Sequence, residues 1–88
     1  MPLNFGALFR MPNVGQFRFQ TIGCKFPLDI AWLDQNKRVV DICIAVEPNS
    51  YAPEDRLPNP ARFVLETNAG LLVSTGVVLG SLLPMSPG

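Results

Sequence analysis

Pro27-Leu28-Asp29-Ile30-Ala31-Trp32-Leu33-Asp34, followed by Arg38-Val39-Val40-Asp41-Ile42, is the stretch that decides the fold. Two apolar segments of alternating period flank the polar tetrad Asp34-Gln35-Asn36-Lys37, which reads as a β-hairpin. Pro27 opens the first strand, where a missing N–H costs least. Leu28, Ile30 and Trp32 fall on one face of it. On the second strand, Val40, Ile42, Ile44 and Val46 are expected on one face and Val39, Asp41, Cys43 and Ala45 on the other. A strand this apolar on both sides is expected at the centre of a sheet.

Upstream, Leu8 to Met11 reads as a short strand, and Phe17-Arg18-Phe19-Gln20-Thr21-Ile22 alternates apolar with polar over a second. Downstream, Glu47 to Pro60 carries Pro48, Pro53, Pro58 and Pro60 and reads as a long loop without regular structure. Loops of this length in a small domain are functional or flexible. Ala61 to Glu66 resumes as a strand with Phe63 and Leu65 on one face. Asn68 stands where a helix N-cap belongs, Ala69 to Thr75 gives two turns, and Gly76 suits the left-handed residue that ends a helix. Val77 to Leu83, with Gly80 between apolar triplets, reads as a turn into a last strand, and Pro84 to Gly88 as a solvated tail.

The 88-residue chain is read as one domain spanning 1–88. A hydrophobic content of 48% against 16% charged residues belongs to a folded rather than a disordered chain. Seven basic and seven acidic residues cancel, so nothing draws the chain to nucleic acid or an anionic membrane. The same neutrality eases self-association. The N-terminus has no basic region or long apolar core, and Ser74, Thr75, Gly76, Gly80 and Ser81 interrupt the longest apolar tract. Cytoplasmic residence is therefore expected. In that setting Cys24 and Cys43 are expected as free thiols, with a disulfide across neighbouring strands as the alternative.

The chain contains no histidine, which removes the Ser-His and Cys-His nucleophile schemes and the commonest metal ligand. No metal site or cofactor is expected. Asp29, Asp41 and Glu66 are carboxylates set in apolar segments. If the register brought Asp29 and Glu66 together they could shift each other's pKa and serve acid–base chemistry, but such pairs are far more often structural. Aromatics at alternating strand positions are more often core than ligand platform. Tyr51 differs: a large ring in the proline-rich loop either anchors the loop or meets a ligand.

Gly6-Ala7-Leu8-Phe9, Pro27-Leu28-Asp29-Ile30 and Pro60-Ala61-Arg62-Phe63-Val64-Leu65-Glu66, followed by Asn68-Ala69-Gly70, stand in an order and spacing that resembles the DUF192 (UPF0127) family of small prokaryotic domains. The likeness runs from about Gly6 to Leu83. It implies a mainly β (α+β) fold: a small, partly open antiparallel β-barrel-like sheet with one short C-terminal helix. The chain departs from the family at three places. Where the family carries Phe-Trp-Met-Lys-Asn-Thr, this chain has Phe19-Gln20-Thr21-Ile22-Gly23-Cys24. The Gly-Asp step before the last strand, a feature shared with cradle-loop barrels, is Gly80-Ser81 here, without the carboxylate that would accept backbone N–H bonds. The extra first strand and short helix usual in the family are lacking, which leaves an open sheet edge.

The first expectation is a non-enzymatic binding or accessory domain with a shallow site between the 48–60 loop and segment 19–26, contacted by Phe19, Asp29, Tyr51, Arg62 and Glu66. The second is a homo-oligomer, a dimer, built through the open edge. A carboxylate-based hydrolase using Asp29 and Glu66 is a distant third.

Overall fold

The hairpin read from Leu28 to Val46 is the centre of construction. The computed structural model describes residues 6–83 and orders its elements as β1 (Ala7–Gly15), β2 (Phe19–Gln20), β3 (Leu28–Leu33), β4 (Val39–Val46), β5 (Tyr51–Ala52), β6 (Ala61–Asn68) and α1 (Leu71–Ser74). The turn between β3 and β4 is fixed by Asp34, whose Oδ1 accepts the N–H of Asn36 at 2.8 Å and of Arg38 at 2.9 Å. Its short carboxylate can reach the backbone two residues on, which is why aspartate starts such turns. The expected tail, Pro84 to Gly88, lies outside the described residues.

A four-stranded antiparallel sheet runs β1-β6-β3-β4, and β2 pairs with β5 in a separate ribbon. The central strands are thus β3 and β6, and β4 is an edge, contrary to the expectation from its apolar sequence. Its first residues are covered instead by the C-terminal segment: Val39 N–H donates to Ser81 O and Gly80 N–H to Val39 O, both at 2.8 Å. That segment forms a single bridge, Arg38 with Leu82, in place of the expected last strand. Within this segment the Ser81 Oγ accepts the N–H of Val78 at 2.9 Å.

Two bulges in β4 overturn the expected faces of that strand. Trp32 opposes Asp41 and Leu33 opposes Val39, which leaves Val40 extra; Ile30 opposes Cys43 and Leu28 opposes Val46, which sets Ile44 and Ala45 against Asp29 alone. An extra residue reverses the alternation beyond it. Asp41 and Cys43 therefore join the Ile30–Trp32 face, while Val39 and Ile42 pack on the other.

Each face carries its own cluster. Ile30, Trp32 and Val64 are buried with Ala52 and Ala61, under the β2–β5 ribbon. Ala31, Leu33, Val39 and Leu65 are buried with Leu72 of α1, and Val77 and Leu83 pack around them. Of the expected strand Phe17–Ile22 only Phe19–Gln20 forms, because Trp32 Nε1 takes the carbonyl of Phe17 at 2.7 Å and Thr21 turns inward. The expected loop 47–60 in turn contains β5.

The sheet curls without closing. Phe9 of β1 meets Phe19 of β2 edge-on, with ring centroids 5.5 Å apart, so side chains close that side. Between β4 and β5 there is no ladder. The result is the partly open, barrel-like β fold with one short helix that the sequence implied. At the other edge, β1 is preceded by Gly6, which has φ +94° and lies so near Glu66 that a Cβ would collide with the Glu66 carbonyl. Glycine is required there on both counts.

Candidate functional site

Asp29 does structural work for both halves of the molecule. It is fully buried; its Oδ1 accepts the N–H of Ala45 at 2.9 Å, and its Oδ2 accepts those of Gly70 at 2.9 Å and Leu72 at 3.3 Å. Ala45 is the left-handed bulge residue, φ 52°. Gly70 is the N-cap of α1, itself left-handed and without a side-chain cap. Asn68 is therefore no cap; it ends β6, and the orphan donors of the helix are met from β3. Gly76 does take the left-handed conformation expected of it, φ 77°.

Glu66 lies elsewhere. It opposes Ile30 while Asp29 opposes Thr67, so the two carboxylates occupy opposite faces of the sheet. The acid–base pair considered from sequence does not form. Half-burial pushes the Glu66 carboxyl above its ordinary 4.5.

Asp41 ties the long loop to β4. Both its oxygens are taken by Arg56 at 2.7 Å, and it also accepts the N–H of Asn59 and of Ile42, each at 2.9 Å. The Arg56 fork holds the Asp41 carboxyl below its ordinary 3.8, outweighing desolvation. Desolvation pushes the neighbouring Cys43 thiol up from 9.0, with the Asp41 charge acting in the same sense. Cys24 and Cys43 are both free.

The two shifted carboxyls oppose each other in pH dependence. Asp41 binds its proton more weakly folded than unfolded, so its stabilisation is present above about pH 3.8 and is lost as pH falls through its lower folded value. Glu66 binds its proton more tightly folded, so it penalises folding above its raised value and ceases to do so below 4.5. Thermal melts are expected to rise on mild acidification and then fall in stronger acid. Glu66→Gln should abolish the rise, and Arg56→Ala should move the acid limb to higher pH; a Glu66→Gln protein with an unchanged rise would refute the assignment.

The start of the loop hangs on Thr21, also fully buried. Its Oγ1 donates to Glu47 O at 2.7 Å and accepts the Ser50 N–H at 3.0 Å. This contact turns the chain from β4 toward the ribbon. Between the diverging strands lies a groove of about 270 Å³, walled by Cys43 to Glu47 on the β4 side and by Ser50, Tyr51, Ala52 and Glu54 on the other.

Among the residues expected at a site, only Tyr51 lines this groove. Its ring is 50% exposed and carries the Arg18 guanidinium 4.8 Å from its centroid. Arg18 is held there by the carbonyls of Pro53 at 3.0 Å and Glu54 at 2.6 Å. Asp29 stands behind the groove, reaching it only through Ala45 N–H. Phe19 is half-buried in the core beneath the ribbon. Arg62, on β6, keeps its Nε enclosed without a hydrogen-bond partner among the described residues. β2 pairs with β5 between the loop and segment 19–26, and the groove lies on the opposite side of β5. The β4 wall has no sequence signal, since an apolar strand reads as core.

No group of three or more His, Cys, Asp or Glu among the described residues could hold a metal ion. No helix among them is long and apolar enough to cross a membrane.

The model of the DUF192 family, described as an uncharacterized ACR, matches residues 1–85. No curated protein matches the chain. Two solved structures share its fold. A protein of unknown function from Novosphingobium aromaticivorans is 24% identical with a TM-score of 0.73, the match covering 85% of this chain and 53% of that one. A candidate transcription regulator from Sinorhizobium meliloti is 23% identical with a TM-score of 0.73, covering 85% of this chain and 57% of that one. The chain thus spans little more than half the length of either.

Proposed function

The chain belongs to the DUF192 family, and on that premise we propose that it is a small non-enzymatic binding module whose site is the groove between β4 and the loop that follows it. The observation that carries this reading is the open seam itself: the sheet stops at β4, the ribbon begins at β5, and Tyr51 stands half-exposed at the gap. A large ring held at the mouth of a concavity by Arg18 is a preformed contact. Catalysis is disfavoured by the state of the carboxylates. Asp29 and Asp41 are committed to backbone amides and Arg56, and Glu66 sits apart from both. The neutral charge balance argues against a nucleic-acid partner, so the description of the Sinorhizobium neighbour is not carried to this chain.

A native mass spectrum of the purified protein tests the reading, because a retained ligand adds a fixed mass. Tyr51→Ala should remove that mass while lowering stability by less than about 1 kcal/mol, as suits an exposed ring. A bare protein mass, with no ligand recovered, counts against the module. A second reading, a homodimer, is favoured by β1. This strand ends the sheet with no further strand beside it among the described residues, and Phe9 is exposed on it. A doubled mass that persists on dilution would favour that reading.

A further inference from the structure

We propose that the groove takes a short extended peptide segment bearing a lysine or arginine, laid along the seam between β4 and β5. This rests on the binding-module reading and names the class of its ligand. Three features point to it. Both walls are strands at the limits of their own sheets, β4 of the four-stranded sheet and β5 of the ribbon. Such edges recognise a row of N–H and C=O groups, which an extended peptide carries. The volume, about 270 Å³, falls just below the range of drug-sized sites and suits a few residues of chain rather than a large cofactor.

Charge supplies the third feature. Glu47 and Glu54 stand on opposite walls, both exposed, and no lysine or arginine lines the groove. On the ribbon side the Arg18 guanidinium lies against the Tyr51 ring and is fixed by two backbone carbonyls. The only ion pair among the described residues is Asp41 with Arg56, which leaves both glutamates to an incoming cation. Ile44 and Tyr51 add apolar surface between them, 45% and 50% exposed. At Ala45 the bulge sends the N–H inward to Asp29, so the peptide pairs with the β5 side there.

The test is an amide-shift titration of the intact protein with a capped pentapeptide of alternating lysine and valine. Saturable shifts confined to 43–47 and 50–54 are expected, and none with the glutamate–valine counterpart. The double variant Glu47→Lys/Glu54→Lys should weaken binding about tenfold, the scale of two exposed charge contacts. Equal shifts from both peptides, or binding unaffected by the double variant, would overturn the charge assignment. A parallel titration with indole separates the two levels of the argument. Indole shifts at the groove without peptide shifts would overturn the peptide proposal and leave the module standing. Silence from every probe would remove both, and peptide shifts at β1 instead would move recognition to the other edge.

Discussion

Asp29→Asn is expected to lower unfolding free energy by about 3–5 kcal/mol, read from the urea midpoint at neutral pH. The carboxylate accepts three backbone N–H groups from two separate segments, the β4 bulge and the start of α1. An amide has one acceptor atom. Whichever way it turns, its NH2 group faces a donor, and at least one buried N–H is left unpaired. Hydrogen bonds to a charged acceptor are worth about 1.5–3 kcal/mol each, and an orphaned buried donor costs about 1–3. A typical small domain holds about 5–15 kcal/mol in all, so this one substitution removes a large share. A loss below about 1 kcal/mol would show that Asp29 does not hold the two segments together.

Trp32→Ala should cost about as much, about 3–5 kcal/mol, through a different mechanism. Trp32 is the largest fully buried side chain and the centre of the cluster under the ribbon. Truncation leaves a cavity that Val64, Ala52 and Ala61 are too small to fill. Trp32→Phe separates packing from hydrogen bonding: it keeps most of the volume but frees the Phe17 carbonyl, which the indole N–H now meets at 2.7 Å. A loss of about 1–2 kcal/mol is expected from that carbonyl. Residues 29 and 32 stand about 10 Å apart along one strand, so the Asp29→Asn and Trp32→Ala losses should add within about 0.5 kcal/mol. Strong coupling in the double variant would mean that the two faces of the sheet fail together.

How much of this was legible in the sequence depended on how far the deciding contact lay from the residue it decides. The β3–β4 hairpin and β6 were readable because alternation and the Asp34 turn are local. The faces of β4 were not, because a period-two reading assumes an unbroken ladder and the bulge at Ala45 is stabilised by Asp29, sixteen positions earlier. The cap of α1 is illegible for the same reason: Asn68 is adjacent, but the acceptor comes from 41 positions away. The edge position of β4 could not be inferred either, since apolar content does not distinguish a second strand from a covering strap. At the groove, Tyr51 was conspicuous as a ring among prolines. Cys43 to Glu47 were not, and Phe19, Arg62 and Glu66 drew notice through chemistry that the sheet places away from the seam.

The strand order has a consequence for how the protein is made. β1 is synthesised first, yet its only ladder partner is β6, with Arg10 opposite Phe63. At about 5–20 residues per second, β1 waits roughly 3–10 s for that partner to leave the ribosome. The β3–β4 hairpin can form during this interval, whereas β1 has no ladder partner among the described residues until β6 is made. β1, made before β6, is therefore the last strand of the four-stranded sheet to find its partner. Until then an apolar strand carrying Leu8, Phe9 and Met11 is displayed to the cell, which makes the nascent chain rather than the finished domain the form most in need of a chaperone.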